Sequence, residues 1–359
     1  MPGVERRARF SARARVIHGA ARLVARPVFR YWPLTPAALR VAPLLERVAG
    51  LRRAPAGTRT EPVRLNGFDS EWVRADGVRD VPAGAGLGAR SVPAARAFPA
   101  GTELGARSVP ATPGDTGAVL YLHGGGFVIG GVGTHRRCVS ALSRTSRLPV
   151  LSVAYRQYPV ADPAGSTADG LTAYRHLLDR GADRVVFAGD SAGGYLAFRV
   201  ALAAREAGLP APAGIVGFSP LLDWDCTAKL AHRNLRRDAY IPGARLPLVL
   251  GMVAAEPDPA RSPVEADLRG LPPVLMQVAA GEFLRCDAED MAARLTGAGV
   301  DCTLQIWQGQ VHAFPVLAGL LPEATAALIE AGAFIQRVTA PPNAPGHESD
   351  GPAGSKEAQ

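Results

Sequence analysis

From residue 117 onward the apolar positions fall into short runs separated by longer stretches with helical spacing. The runs are Ala118–Leu122, Val150–Val153, Arg184–Ala188, Gly214–Phe218, Val274–Val278 and Thr303–Trp307, rich in Val, Ile, Leu and aromatic residues. They predict strands, and the stretches 135–145, 166–180, 192–207, 288–298 and 323–337 between them predict helices. Short β-rich runs alternating with amphipathic helices predict an α/β fold: a mostly parallel, twisted sheet with helices on both faces.

Outside this alternation the pattern changes three times. In residues 1–53, Val16, Ala20, Leu23, Val24 and Val28 recur at helical spacing between arginines. That predicts one or two amphipathic helices, broken at Pro33 and Pro36 and resumed over Ala37–Leu51. Residues 81–116 are Gly- and Pro-rich, and the octet Leu87–Ala94 recurs letter for letter at Leu104–Ala111. Two copies are too few for a solenoid and predict an expanded surface loop. The stretch 224–265 lies between two strands yet contributes none, so it reads as an inserted lid. The expected layout is a helical cap segment over 1–60, a catalytic domain over 61–340 and a disordered polar tail over 341–359.

The net charge of +8 is uneven. Residues 1–53 hold twelve Arg against Glu5 and Glu46, a balance of +10 that leaves the rest near −2. Basicity confined to one end argues against a nucleic-acid-binding core. It reads either as a solvated helix face or as an appendage in peripheral contact with an anionic membrane surface. Cys138, Cys226, Cys286 and Cys302 are widely spaced, which predicts neither a metal site nor a disulfide framework. No apolar run reaches the roughly 18 residues of a membrane span. Arginines interrupt the N-terminus too often for a signal peptide, so the expected location is cytoplasmic.

The chemistry concentrates downstream. Gly189-Asp190-Ser191-Ala192-Gly193-Gly194 follows the apolar run Val185–Ala188 and opens a helix. A G-x-S-x-G sequence in that context predicts a sharp strand-to-helix turn that lifts a serine hydroxyl clear of the sheet. Small flanking residues are needed because side chains would collide in the turn. His123-Gly124-Gly125-Gly126-Phe127 follows the run Val119–Leu122, and its glycines can turn backbone N–H groups towards an oxyanion. On a fold with the order Ser, acid, His, the base lies downstream of Ser191, where His232, His312 and His347 are the candidates. His232 falls in the lid insertion and His347 in the tail, whereas His312 follows the last strand run by a short loop. The acid should follow Val274–Val278. Glu282 stands at that strand end, and Asp287 is the alternative. Asp287 is explained as the N-cap of a helix Ala288–Leu295, with Asp290 as first-turn charge, and Glu282 is preferred.

With these residues placed, the sequence resembles the hormone-sensitive-lipase-like family of α/β-hydrolase esterases over roughly residues 115–340. Tyr155-Arg156-Gln157-Tyr158-Pro159 resembles the family's Y-R-L-A-P turn, and Ser219-Pro220-Leu221-Leu222-Asp223 its S-P-x-x-D segment. Gly270-Leu271-Pro272-Pro273 matches its G-L-P-P lead into the acid strand. The resemblance implies Ser191 as nucleophile, His312 as base and Glu282 as acid, at the first position of the family's D-P-L-x-D-E motif. It implies oxyanion N–H groups from Gly125, Gly126 and Ala192, with His123, Gly124 and Asp190 in support. It also implies that the N-terminal helices and the segment after S-P-x-x-D cover the acyl pocket. The expected activity is hydrolysis of short- to medium-chain acyl esters on a small-molecule substrate, without metal or cofactor. Rival readings are an amidase or deacetylase with the same triad, and a small-molecule receptor on a retired hydrolase scaffold. Oligomeric state has no sequence signal.

Overall fold

The computed structural model describes residues 3–8, 10–35, 54–81, 117–254 and 262–341. The Ala37–Leu51 helix, the duplicated 81–116 segment and the 341–359 tail with His347 lie outside these residues, apart from Val81 and Pro341 at their edges.

Among the described residues nine strands form one sheet: β1 (Val4–Arg7), β2 (Thr58–Leu65), β3 (Phe68–Ala75), β4 (Gly117–Leu122), β5 (Val150–Val153), β6 (Arg184–Asp190), β7 (Gly214–Phe218), β8 (Val274–Ala279) and β9 (Cys302–Trp307). Their spatial order is β1-β9-β8-β7-β6-β4-β5-β3-β2, parallel except where β3 meets β2 and β5. The six strands from β4 to β9 are those expected from the apolar runs, within two residues at each end.

Side-chain alternation along these strands builds a core on each face. Leu120, Leu122, Val185, Phe187, Ile215, Met276 and Ile306 pack on one side, against α4 (Pro163–Asp179), α5 (Ala192–Glu206) and α8 (Arg285–Gly297). Val119, Tyr121, Val186, Ala188, Val216 and Leu275 pack on the other, against α3 (Val132–Ser146) and α9 (Pro322–Val338). A strand buried on both faces has no polar alternation to show, which is why these read as continuous apolar runs.

Two features depart from the sequence expectation. First, β2 and β3 form a hairpin over a stretch where the apolar pattern suggested no element. Asn66 and Gly67 both take positive φ (38° and 96°), the geometry of a tight two-residue hairpin turn. The Asn-Gly signal was present; Pro62 and the charged positions of β2, an edge strand, mask its periodicity.

Second, the N-terminus is not purely helical. β1 extends the sheet by pairing in parallel with β9, Val4 opposite Leu304 and Arg7 opposite Trp307. Four residues with two arginines carry too little apolar pattern to announce a strand; the open edge of β9 recruits them. The helix then runs as α1 (Ala12–Ala20), a wide turn over Ala21–Ala25, and α2 (Arg26–Tyr31), ending two residues before Pro33. Ser11 caps it, accepting from the Ala14 N–H at 3.1 Å. Its inward positions are Ala14, Ile17, Ala21 and Phe29, while the Val16, Leu23, Val24 and Val28 face points to solvent. The wide turn shifts the helical phase, so that Phe29 rather than Val28 faces inward.

The 224–265 insertion contributes no strand among its described residues. It holds α6 (Thr227–Ala231), two short 3₁₀ turns and α7 (Leu246–Val253), with a third 3₁₀ turn at Pro263–Glu265.

Candidate active site

The expected site residues collect at the carboxyl ends of β4, β6, β8 and β9. Ser191 follows β6 at the sheet centre with φ 53° and ψ −118°, a strained conformation for a side-chain-bearing residue. Its N–H donates to Phe218 O at 2.9 Å, and its carbonyl accepts from Leu221 N at 3.1 Å, which ties the turn to the end of β7. Neighbouring glycines make the turn possible. A Cβ at Gly193 would run into Leu122 O, and one at Gly194 would sit 2.6 Å from Pro220 Cβ.

The glycine loop after β4 lies alongside. Gly125 and Gly126 take φ of 122° and 65°, and a Cβ at Gly125 would collide with Ile129 O. The N–H groups of Gly125, Gly126 and Ala192 donate to no described residue. Asp190 fixes the loop to the serine turn. One of its oxygens accepts from Gly124 N at 2.9 Å and from Tyr121 Oη at 2.8 Å, with His135 Nε2 at 3.3 Å. Burial pushes the Asp190 carboxyl up, but His135 and Tyr121 more than offset it and hold it below the ordinary value. His123 is buried and stacks on Tyr155 with centroids 4.3 Å apart, while its carbonyl accepts from Tyr155 Oη at 2.7 Å. Burial, with His135 nearby, lowers its pKa to about 3, so it is neutral in use.

Glu282 and His312 meet across the ends of β8 and β9. Glu282 Oε2 lies 2.7 Å from His312 Nδ1, and Oε1 accepts from Ala279 N at 3.0 Å. The remaining ring nitrogen, Nε2, is buried without a hydrogen-bond partner among the described residues, so no hydrogen bond links it to Ser191 Oγ in this conformation. The base loop is joined to the serine turn through Ser219, whose Oγ accepts from Ala313 N at 3.0 Å. Burial disfavours the His312 imidazolium, yet the Glu282 hydrogen bond and charge outweigh it and raise the pKa above its ordinary value. Burial also raises Glu282, opposed by His312.

Asp287 is not at this junction. The helix begins three residues earlier than expected, at Arg285, so Asp287 is a buried first-turn residue and not an N-cap. It accepts from Leu222 N at 3.0 Å and Asp223 N at 3.1 Å, and pairs with Lys229 Nζ at 3.0 Å. Burial, opposed by Lys229, raises its pKa to about 6. His232, the other downstream histidine described, accepts from Asn234 N at 3.3 Å at the start of a short turn.

Several residues at the site had no motif to reveal them. Asn234 Nδ2 donates to Ala280 O at 2.8 Å and to Glu282 O at 3.0 Å, and Asp238 Oδ2 accepts from Phe283 N at 3.3 Å. Both lie in the 224–265 insertion and clamp the turn that carries Glu282. Tyr240 stacks over His312 with centroids 6.4 Å apart. Phe127, Tyr195 and Trp224 pack together beside the glycine loop at centroid distances of 5.4–5.8 Å. Val249 of α7 stands 3.7 Å from where a Cβ on Gly126 would be, so the insertion covers the loop. Among the described residues no cluster of His, Cys, Asp or Glu is arranged to hold a metal ion.

A serine on a strained strand-to-helix turn, backed by a glycine loop and by a His–carboxylate pair on later strands, defines the α/β hydrolase class. A profile of the alpha/beta hydrolase fold family matches residues 119–316. The chain belongs to that family, and within it to the serine carboxylesterases of the bacterial hormone-sensitive-lipase type. It is 40% identical over 233 residues to the esterase LipU of Mycobacterium tuberculosis, covering 62% of this chain and 78% of that one. It is 36% identical over 230 residues to an acetyl-hydrolase of Streptomyces hygroscopicus, covering 63% and 77%. The crystal structure of an esterase from the bacterial hormone-sensitive lipase family superposes with a TM-score of 0.74 at 30% identity, covering 92% of this chain and 99% of that one.

Proposed function

We propose that this carboxylic ester hydrolase works by two-step acyl transfer through Ser191, His312 and Glu282. His312 Nε2 takes the Ser191 proton as the oxygen attacks the ester carbonyl. Glu282 holds the proton of the ring on Nδ1 and stabilises the imidazolium as it forms. The N–H groups of Gly125, Gly126 and Ala192 receive the negative charge of the tetrahedral intermediate. Protonated His312 then hands its proton to the leaving alcohol, and water repeats the sequence on the acyl-enzyme. Asp190 and His123 act on the reaction through the glycine loop they hold.

The observation that carries this reading is the buried Glu282–His312 contact at 2.7 Å, which leaves Nε2 as the ring's working nitrogen. The Phe127–Tyr195–Trp224 cluster and Val249 narrow the space around the glycine loop, which supports short- to medium-chain acyl groups as substrates. Contact with an anionic surface is assigned to the Arg-rich N-terminal helix. Ser191→Ala is the test. It should cut kcat on p-nitrophenyl butyrate by about 10⁴–10⁶ with the circular dichroism spectrum unchanged, because the nucleophile acts as a unit with its base. Near-normal turnover would overturn the assignment. The relative named as an acetyl-hydrolase favours deacetylation as a second reading. Turnover of an acetanilide against the matching phenyl acetate separates amide from ester preference.

A further inference from the structure

The helix over residues 12–31 packs on the protein through Ala14, Ile17, Ala21 and Phe29 and leaves Val16, Leu23, Val24 and Val28 outside. Ala14 and Ala21 are buried with Ile17 in a cluster that includes Trp307, Val311 and Phe314. On the outer side Val16, Leu23, Val24 and Tyr31 are 70, 78, 64 and 75% exposed. Arg13, Arg15, Arg22 and Arg30 are also exposed on this helix, and residues 10–35 contain no Asp or Glu. An exposed aliphatic stripe flanked only by cations is the pattern of a helix that lies in a lipid interface. Among the described residues no helix is long and apolar enough to cross a membrane, so this face can rest on a bilayer but not span it.

The mount is fixed at both ends. Before the helix, β1 is paired with β9, Arg7 is bonded to Glu330 at 3.0 Å, and Ser11 is bonded to Glu323. After it, Arg245 of the insertion donates to Arg30 O at 2.6 Å and to Trp32 O at 2.9 Å. On the inner side Phe29 meets Tyr240 edge-on at 5.2 Å, and Tyr240 in turn stacks over His312. The outer face is therefore separated from the base by one helix diameter, about 10 Å, and one aromatic layer.

We propose that the outward face of this helix, Val16, Leu23, Val24 and Tyr31 with the flanking arginines, is a docking surface for an anionic bilayer. Docking turns the covered side of the active site towards the membrane and lets the enzyme draw acyl esters from it. The delivery of substrate rests on the ester-hydrolase reading above; the docking does not.

The test uses the full chain. Co-sedimentation with phosphatidylcholine vesicles containing phosphatidylglycerol should be strong at low salt and weaken as salt is raised, and pure phosphatidylcholine vesicles should bind far less. Leu23→Asp with Val24→Asp should lower affinity for the anionic vesicles at least roughly tenfold. The same variant should hydrolyse soluble p-nitrophenyl butyrate at the wild-type rate but lose activity on dioctanoylglycerol held in the vesicles. The proposal is overturned if the wild type does not sediment with anionic vesicles, or if the double variant binds them equally well. It is also overturned if the substitutions only convert a dimer to a monomer in gel filtration, which would give the face to a second copy of the chain. A wild type that binds vesicles but turns over no ester would overturn the hydrolase reading and leave the docking standing.

Discussion

Replacing Glu282 by Gln tests the heart of the proposed chemistry, because shape is conserved while charge is removed. The side chain is anchored by Ala279 N on Oε1, and its turn is held by Asn234 and Asp238, so the amide should stay in place. With its oxygen kept on Ala279 N, the Gln NH₂ faces His312 Nδ1 as a donor. Nδ1 must then accept, which puts the ring proton on Nε2 and removes the lone pair that should take the Ser191 proton. The imidazolium also loses a partner 2.7 Å away in a site where the two side chains are only 3% and 1% exposed. Loss of such a carboxylate costs three to four decades in kcat, about 4–5.5 kcal/mol in the barrier. The pH profile adds a sign. In the wild type Glu282 raises the His312 pKa against the effect of burial, so kcat/KM should fall on the acid side with a midpoint above the ordinary histidine value. In the variant only the weaker pull of Asp238 and Asp190 opposes burial, and the midpoint should move down. Initial rates on p-nitrophenyl butyrate across pH, with Tm measured in parallel, read both effects. More than a tenth of wild-type kcat, or an acid limb that moves up, would show that Glu282 does not set the His312 tautomer and charge.

Asp287→Ala should do the opposite: kcat within a few-fold of wild type, but stability down by about 3–5 kcal/mol in urea unfolding, because the Leu222 and Asp223 N–H groups lose their buried acceptor and Lys229 its nearest carboxylate. The wild-type Asp287 carboxyl, raised on folding from 3.8 to about 6, should subtract stability as pH rises between those values, by about 3 kcal/mol. Urea midpoints of wild type and Asp287→Ala across that range should show the slope in the first and its absence in the second. Gly125→Ala places a methyl against Ile129 O at a φ of 122°, so the loop must move; a drop in kcat of about 10²–10³ is expected, with Tm as the control for folding.

Much of the site was legible because its signals are local. The turn at Ser191 and the loop at Gly124–Gly126 depend on glycines adjacent in sequence, where a Cβ would strike backbone. His312 followed from chain order and Glu282 from its place after a strand. The role of Asp287 was not legible: its partners, Leu222, Asp223 and Lys229, lie about 60 residues upstream. Nor was the clamp on Glu282, since Asn234 and Asp238 sit in a stretch whose composition resembles any polar surface loop.

The sequence by itself determined which segments are the core strands, because strands buried on both faces must be apolar throughout. It also determined which residues could carry the chemistry, because strained turns admit few residue types. Tertiary structure alone decided that β1 closes the sheet edge beside β9, since that pairing is made by backbone groups indifferent to side chain. It alone decided which side of the N-terminal helix faces the protein: Ala14, Ile17 and Ala21 meet Trp307, Val311 and Phe314, and the wide turn at Ala21–Ala25 then brings Phe29 inward. The aliphatic face that periodicity picked out, Val16, Leu23, Val24 and Val28, was left in solvent, where its neighbours are arginines.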